Sequence, residues 1–596
     1  MRVKMRKFLK SCYFKILLST IAVIWTLGLK TSNFASVLLV VLFYFFYKNE
    51  INCSEKRERI IAGVLSVLLA VFQVAGNYDD FLLLVDVKLV LLIKYILAIA
   101  GWCCIFYTLI AIIFKMAEEK DLVCAAQKNS KGIKVFGASF GILILCWLPY
   151  FIAYYPGILT WDTEWQFEQA LGISSYSNHQ PVLHTLFLKL FYNLGIKIFH
   201  NPNGGMAVCV FVQMIVMASI FAFLIVILYW RKIRKQYLAL CIIFFGIMPF
   251  NALYSIAIWK DIFFAGSILL FSIILWELQD SHDDNRLTKI GQIIGFIVVG
   301  ILVCLLRSNG FYAYLFCIPF MVLMLKKRRA GVILGCIVTL SIVGIVKGPV
   351  MEAKHVIQPD IVENLSIPIQ HIARVVADGC ELTDEEEKLL GQVIEIDRIP
   401  EEYLNYISDP IKTLIREKDN QQYIKDNKKE FFFLWLKLGL RYPEEYIKAQ
   451  IDQTRGYWTT DEQYWVITTE VTEHAEILGM YRDSKLPSGI VRIMEWGENA
   501  YMEIPIYGIL WSIGFYFWIM LLMLAITIKK KKNILPFLPV LALWGSLMIA
   551  TPVYAEFRYI YSLIIGIPLF IAISFSSEEE RNYVSDAETI TNKECL

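Results

Sequence analysis

The feature that most constrains this chain is a series of apolar runs, each about 17 to 25 residues long. A helix of that length crosses the hydrocarbon core of a bilayer and satisfies its own backbone polar groups. Apolar side chains make up 57% of the 596 residues and charged ones only 19%, which excludes an ordinary soluble protein. We therefore predict an all-α polytopic membrane protein with about fourteen transmembrane helices.

The short basic loops predict how these helices are oriented. If the N-terminus is cytosolic, every strongly basic short loop falls on the cytosolic side, as the positive-inside rule requires; examples are RKIRKQ, KKRRAG and KKKKN. The N-terminal MRVKMRKFLK lacks a small-residue cleavage site, which predicts a retained first helix. Both termini are therefore expected in the cytosol. The net charge of +3 gives no support for a nucleic-acid partner.

The alternation of apolar and polar stretches divides the chain into five parts. We predict about four N-terminal transmembrane helices (1–134), a core of about seven helices with an outer loop at 154–205 (135–348), an extracytoplasmic domain (349–504), about three C-terminal transmembrane helices (505–576) and a cytosolic tail (577–596). Acidic residues outnumber basic ones in the extracytoplasmic domain, a composition suited to water.

That domain is predicted to be small and mainly helical. Ser366 and Pro368 introduce an amphipathic segment that ends at Gly379, and Thr383 has capping-box spacing to a glutamate. Proline also marks helix starts at Pro410 and Pro443. No alternating strand pattern competes with this interpretation.

The outer loop contains the most chemically capable sequence, YYPGILTWDTEWQFEQALGISSYSNHQPVLHTLFLKLFYNLG. It predicts two interfacial helices, the first capped by Asp162 and the second opened by Pro181. Asp162, Glu164, His179 and His184 would then lie at the membrane surface. Such a site suits transfer from a polyprenyl-phosphate sugar, because the lipid tail stays in the bilayer while phosphate and sugar emerge.

In that chemistry a carboxylate deprotonates an acceptor hydroxyl and basic groups neutralise the departing phosphate. Asp162 and Glu164 are the candidate catalytic residues. The candidate substrate-binding residues on the same side are His179, His184, Lys260, Asp261, Arg307, Arg374, Glu556 and Arg558.

Each residue also has a structural interpretation. Asp162 can be a simple helix cap, the histidines can be polar groups of an interfacial loop, and their five-residue spacing is not the i, i+4 spacing of metal ligands. Lys260 with Asp261, and Glu556 with Arg558, can form local ion pairs, and Arg307 can be a snorkelling anchor. Aromatic residues of TRGYWTTDEQYW can stack on sugars or pack a helical domain. Their joint position on the side poor in basic residues favours a shared site.

YYPGILTWDTEWQFEQALG and NHQPVLHT, extended by AIWKDIF, SIPIQHIARVVADG and TRGYW, resemble the DUF6020 family of bacterial multi-pass membrane proteins, related to the GT-C glycosyltransferase superfamily. The resemblance covers about residues 137–573. It implies a GT-C-like core in a bacterial cell (inner) membrane and a catalytic or metal-binding carboxylate in the first outer loop of that core. Asp162 matches best and Glu164 second. The adjacent Asp-Glu pair of GT-C branches is here Asp162-Thr163-Glu164, which leaves their separate roles open.

The leading expectation is therefore a membrane glycosyltransferase that moves a sugar from a polyprenyl-phosphate donor to a cell-envelope glycan, lipid or protein acceptor on the outer face. A transporter or flippase of a lipid-linked intermediate is the second hypothesis, and it predicts ionisable residues at mid-bilayer depth and paired broken helices. A non-catalytic envelope-assembly protein is the third. The sequence assigns no cofactor with certainty; a divalent cation is the candidate, with no ligand set.

Overall fold

The computed structural model describes residues 12–576 except 30–33, 49–52, 83–86, 124–130, 281–285, 461, 463–465, 468 and 470–472. The predicted cytosolic tail and the extreme N-terminus lie outside the described residues. The described chain is helical, and β-pairing within it is confined to isolated bridges.

The helices before the large interhelical segment follow one another with short connections. They are α1 (Cys12–Thr26), α2 (Phe34–Lys48), α3 (Lys56–Gly76), α4 (Tyr78–Leu82), α5 (Lys88–Glu119), α6 (Gly132–Ala153), α7 (Trp161–Leu171), α8 (Val182–Phe199), α9 (Pro202–Trp230), α10 (Lys235–Ile247), α11 (Pro249–Ile256), α12 (Lys260–Asp280), α13 (Arg286–Leu306), α14 (Ser308–Met324) and α15 (Arg329–Ile345).

The remaining helices belong to the interhelical domain, residues 346–504, and to the C-terminal region. They are α16 (Met351–Ala353), α17 (Ser366–Ala377), α18 (Asp384–Leu390), α19 (Ile399–Glu402), α20 (Asp409–Glu417), α21 (Gln421–Asp426), α22 (Lys428–Arg441), α23 (Pro443–Thr454), α24 (Glu473–Ile477), α25 (Ser488–Asn499), α26 (Pro505–Ile509), α27 (Ile513–Lys529), α28 (Leu538–Ala550) and α29 (Tyr561–Phe575).

The chain is a multi-pass membrane protein. Nine helices of its described part are long and apolar enough to cross a bilayer, and the pair α10 and α11, bent by 55°, counts as a tenth if it forms one span. Five further apolar helices have only 10–17 residues. The predicted number of about fourteen spans is therefore not confirmed, because these runs form helices shorter than a typical span.

One of the nine is α8, which the sequence places at the interface. Its length and composition also allow it to cross a membrane. It packs along α9, where Gly195 and Gly205 approach so closely that a Cβ at Gly195 would lie 2.7 Å from the Gly205 Cα. The helix begins after Pro181, as predicted.

The N-terminal helices pack against one another and against the C-terminal region. α5 contacts both α1 and α3, and α3 also contacts α27. Lys529 binds Glu58 with a nitrogen–oxygen distance of 2.9 Å, and Arg57 donates to the carbonyl of Ile528 at 2.7 Å. The first helices are therefore bonded to the rest of the bundle.

The capping signals of the interhelical domain predict its helices correctly. Thr383 and Glu386 form the capping box of α18, α20 begins at Asp409 before Pro410, and α23 begins at Pro443. Aliphatic side chains of α17, α18 and α20 to α22 form a core separate from that of the membrane helices. The domain is joined to the loop before α29, where the Ser408 amide donates to the carbonyl of Pro552 at 2.9 Å.

Candidate functional site

Four separated segments bring charged side chains together at one end of the helix bundle, called here the site face. The first turn of α7 contributes Asp162, the start of α12 contributes Lys260 and Asp261, the connection after α13 contributes Arg307, and the loop before α29 contributes Glu556 and Arg558. We refer to these six residues as the charge cluster. The structure thus joins six of the ten residues that the sequence singled out.

Arg558 is at the centre of the charge cluster. Its Nη1 donates to Asp162 Oδ2 at 2.6 Å and lies 3.8 Å from Asp261 Oδ2, while its Nε donates to Glu556 Oε1 at 2.7 Å. A planar guanidinium can bind several carboxylates at once, which a lysine ammonium on a flexible stem does less specifically. Arg558 therefore fixes the relative positions of three carboxylates from three segments.

The other two cations have different environments. Arg307 Nη1 forms an ion pair with Asp261 Oδ1. Lys260 donates to the side-chain oxygen of Gln180, and its Nζ lies 3.9 Å from Asp162 Oδ2. The ionic contact of Lys260 is therefore weaker than that of Arg307. Its ammonium group can bind a further anion.

Backbone pairing positions Asp162 beside Lys260. The amide of Ile158 donates to the carbonyl of Ile256 at 3.0 Å, and the amide of Ile258 donates back to Ile158 at 3.1 Å. This bridge holds the segment before α7 against the segment before α12. Thr160 occupies the N-cap of α7, so the prediction that Asp162 caps the helix is wrong: Asp162 lies one residue inside it, and its carboxylate faces Arg558.

Accessibility separates the three carboxylates of the charge cluster. The side chain of Asp162 is 36% exposed, compared with 0% for Asp261 and 6% for Glu556. Burial raises the pKa of Asp162, but Lys260 and Arg558 outweigh it and bring that pKa below its ordinary range. Burial raises the pKa of Glu556 to about 7, although Arg558 opposes the shift. Asp162 is thus the ionised carboxylate that a ligand can reach.

Aromatic rings pack against the two arginines. These rings were not predicted from the sequence as part of the site. Arg558 lies 4.7 Å from the ring centre of Trp259, and Arg307 lies 4.6 Å from that of Tyr559. Cation–π contacts of this kind hold a guanidinium in place and exclude water. The sequence offered one signal for them: each ring is next to a predicted site residue, since Trp259 precedes Lys260 and Tyr559 follows Arg558.

The TRGYW motif supports the loop that carries Glu556 and Arg558. A Cβ on Gly456 would lie 2.4 Å from the carbonyl oxygen of Tyr554, so only glycine fits there. The hydroxyl of Tyr457 donates to the carbonyl of Val553 at 2.9 Å and accepts from the amide of Glu556 at 3.3 Å. Tyr457 is fully buried and has a packing role; Tyr464 and Trp465 lie outside the described residues.

A comparison with protein families matches residues 173–589 to DUF6020, a family of unknown function. The chain belongs to the DUF6020 family. The matched region includes Lys260, Arg307 and Arg558 and begins after Asp162. Neither curated proteins nor solved structures yield a match.

Two of the outer-loop residues of this DUF6020 protein have distinct surroundings. Glu164 is fully buried on α7, so of the two candidate catalytic carboxylates only Asp162 reaches solvent. His179 is exposed and lies near enough to Asp162 to lower the pKa of that carboxyl. It therefore borders the accessible side of the charge cluster.

His184 is buried and lines an apolar cleft among the helices of this DUF6020 protein. Its Nδ1 bonds the side-chain oxygen of Gln166 at 2.8 Å, and since that oxygen only accepts, Nδ1 donates. Within the described part of the chain, Nε2 has no hydrogen-bond partner. The ring contacts Phe263, one turn from Lys260.

The cleft has a volume of about 680 Å³ and lies between α8, α9, α12 and α13. Its lining on α9 extends from Val212 to Phe223, a rise of about 16 Å along the helix axis. It begins beside the charge cluster, because its lining includes Phe263 and also Leu306, which immediately precedes Arg307. The cleft therefore starts within one helical turn of Lys260 and Arg307, and none of the six residues of the charge cluster lines it.

Arg374 is not in the charge cluster. Its guanidinium binds Asp378 at 2.8 Å, Glu445 at 3.3 Å and Asp452 at 2.8 Å, all within the interhelical domain. Asp452 in turn accepts from the hydroxyl of Tyr78 at 2.9 Å, which ties the domain to the N-terminal helices. Substrate contact by Arg374 stays a prediction, and its observed partners give it a structural role.

Among the described residues, no three His, Cys, Asp or Glu side chains are arranged to hold a metal ion. Asp162 Oδ2 and Asp261 Oδ1 each face a guanidinium, so one oxygen of each carboxylate is engaged by a protein cation. Within the described ranges of the chain, the candidate divalent cation has no ligand set.

Proposed function

We propose that this DUF6020 protein is a membrane glycosyltransferase that uses a polyprenyl-phosphate-linked sugar at the site face. One observation carries the proposal: an accessible carboxylate, Asp162, pairs with Lys260 and Arg558 in a charge cluster that lies next to an apolar cleft. A lipid-linked sugar has the corresponding parts: an isoprenoid tail for the cleft, a phosphate for the cations and a sugar for the carboxylate. On this proposal the site face is the outer face of the cell membrane, and the acceptor belongs to the cell envelope.

The cleft fits the tail of such a donor. Its lining is apolar apart from His184 and two serines, Ser219 and Ser267, and these serines donate to carbonyls of their own helices. An isoprenoid chain placed there loses no hydrogen bonds and removes apolar surface from water. The tail would then leave its phosphate beside Lys260 and Arg307.

The charge cluster fits the transfer step. The acceptor hydroxyl oxygen bonds to the anomeric carbon of the sugar, the bond from that carbon to the phosphate oxygen breaks, and the hydroxyl proton passes to Asp162. Negative charge develops on the departing phosphate, where Lys260, Arg307 and Arg558 stabilise it. Preorganised cations in an enclosed site contribute most to such a step, because they need no rearrangement during the reaction.

Asp162 becomes a better base when the donor is bound. In the free protein Lys260 and Arg558 keep the pKa of Asp162 low, which makes it a weak proton acceptor. A phosphate that binds these cations competes with Asp162 for them and raises its pKa. The donor would thereby activate the base needed for its own transfer.

The test is Asp162→Asn, with envelope glycans measured in cells that contain equal amounts of each variant protein. We expect loss of the glycan modification, because an amide accepts no proton at neutral pH. Glu503→Gln is the matched control, since Glu503 is an exposed carboxylate outside the charge cluster. Unchanged glycosylation in Asp162→Asn would remove its catalytic role.

A second candidate function is transport of a lipid-linked intermediate, and the bent pair α10 and α11 favours it. Asn251 donates to the carbonyl of Phe244 at 2.9 Å and accepts from Tyr561 at 2.7 Å, which satisfies polar groups where the helix is broken. Reconstituted vesicles separate the two functions. Sugar transfer without net lipid movement supports the transferase, and lipid movement without transfer supports the transporter.

A further inference from the structure

The interhelical domain contains a second apolar cavity, whose lining includes no residue of the charge cluster. It has a volume of about 490 Å³ and lies between α17, α18, α20 and α22. Only two residues of its lining, Asn364 and Lys428, carry an amide or a charge. The volume is in the range of small-molecule sites, and a dry apolar space of this size forfeits packing contacts unless an apolar ligand occupies it.

The cavity opens beside an exposed apolar face of α22. Phe432 belongs to the cavity lining and is also 55% exposed. Leu436 and Leu440 continue the same face at four-residue intervals, and Phe433 is adjacent to it. We call Phe432, Phe433, Leu436 and Leu440 the α22 stripe. An apolar helix face of this kind is typical of a helix lying in a membrane interface.

A contact with α5 indicates where the α22 stripe lies relative to the bilayer. Glu444, three residues after the end of α22, pairs with Lys88 at 3.5 Å. Lys88 is the first residue of the membrane-spanning α5, whose next turns expose Leu89, Leu92 and Ile93. The end of α22 therefore lies level with the first turn of a membrane-spanning helix.

We propose that this cavity binds one hydrocarbon chain of an anionic phospholipid from the adjacent leaflet. The chain enters beside Phe432, and the α22 stripe rests in the leaflet from which it comes. Lys428 lines the cavity, Lys429 follows it in the chain, and both are exposed at the start of α22, where we place the headgroup phosphate. This site is independent of the charge cluster and of the proposed transferase activity.

The test uses the full chain in vesicles of phosphatidylethanolamine and phosphatidylglycerol. A small fraction of the phosphatidylglycerol carries a diazirine at the end of one acyl chain, and adducts are located by mass spectrometry after irradiation. We expect adducts inside the cavity, at Ile372 and Ile415, in addition to the α22 stripe. Adducts on the α22 stripe with none in the cavity overturn the proposal.

Ala373→Phe places a ring in the cavity, and we expect it to reduce the internal adducts at least tenfold while those on the α22 stripe persist. Ile369→Phe fills the same space from another position and serves if Ala373→Phe does not fold. Ile490→Phe, on the exposed side of α25, is the control and leaves all adducts unchanged. Internal adducts that persist in a folded cavity-filling variant contradict the proposal.

Two further probes identify the lipid. A phosphatidylcholine with the same diazirine chain should label the cavity several-fold less, because its headgroup has no net negative charge for Lys428 and Lys429; equal labelling contradicts the selection for an anionic headgroup. A diazirine fatty acid added to the same vesicles should label the cavity less than the phospholipid. Stronger labelling by the fatty acid overturns the phospholipid as occupant.

Discussion

Arg558 donates a hydrogen bond to Asp162 at 2.6 Å, and the two residues lie 396 positions apart in the chain. The contact joins the loop before the last helix to the first turn of α7. Both residues lie at helix ends on the site face, so the contact forms only when the intervening helices are assembled. Correct packing of the whole bundle is therefore a condition for the charge cluster to exist.

Arg558→Lys should retain the positive charge and lose the geometry. A lysine cannot hold Asp162 and Glu556 at their present positions together, so we expect sugar transfer to fall roughly tenfold or more. Arg482→Lys is the matched control, because Arg482 pairs with Glu495 at 2.9 Å outside the charge cluster. Initial rates with a synthetic lipid-linked sugar provide the measurement, and equal rates for both variants contradict the expectation.

Glu556 and Glu498 should each contribute stability that is lost as the pH rises from about 4.5 to about 7, whereas buried His371, whose pKa burial lowers to about 4, contributes stability that is gained as the pH rises to 6.5. Burial raises the pKa of Glu556 to about 7 and that of Glu498 to about 7, above their ordinary value of 4.5. The folded state therefore binds these protons more tightly than the unfolded state, and the advantage is lost as they dissociate.

Single substitutions test this assignment. Over that pH range we expect the melting temperature of Glu556→Gln and of Glu498→Gln, measured in detergent, to rise relative to that of the unsubstituted protein. The difference should stay constant for Glu503→Gln, which changes an exposed carboxylate. A pH profile unaltered in both buried-site variants shows that other groups cause it.

Filling the apolar cleft should weaken donor binding. Ser219→Phe and Ser267→Phe place rings among the cleft-lining residues, so we expect a several-fold higher KM for a long-chain donor and little change for a short-chain analogue. Val298→Phe, on the exposed face of α13, is the control. A higher KM for both donor lengths would indicate a general disturbance of the site and no role for the cleft in chain binding.

Removing Arg374 should destabilise the protein. Arg374→Met removes the nearer of the two guanidinium groups beside buried Asp452, leaving Arg455 at 4.0 Å, and breaking a buried ion pair typically costs about 3 to 5 kcal/mol. Arg398→Met removes exposed ion pairs with Glu402 and Glu417 and should lower the melting temperature much less. Thermal unfolding in detergent measures both. If Arg374→Met keeps its melting temperature but has a raised donor KM, the sequence-based prediction of substrate binding is supported.

Local sequence signals predicted much of the fold, and long-range partners were beyond them. Thr383 and Pro443 mark helix starts through bonds within one turn, so they can be read from the chain. The partner of Arg374 could not be predicted from the sequence, because Asp452 lies in another helix. The pairing depends on how α17 packs against α23.

The site shows the same division. Membership of Lys260, Arg307 and Arg558 in one cluster was predicted from charge patterning, which assigns all three to the same side of the membrane. The distinction between Asp162 and Glu164 depends on which face of α7 is covered. Residues two apart point to different sides of a helix, and only the packing of α7 against its neighbours determines which side is buried. The buried pair of Tyr154 and Glu498, with an oxygen–oxygen distance of 2.7 Å, gave no local signal.

The close approach of Gly456 to Tyr554 has a mechanical consequence. The two backbones are in direct contact at Gly456, and Tyr457 is hydrogen-bonded to the same loop. A displacement of the domain therefore moves Glu556 and Arg558 as well. Any ligand that tilts the domain would pull on the guanidinium holding Asp162. Ligand binding to the interhelical domain would therefore act directly on the charge cluster, through the contacts already described.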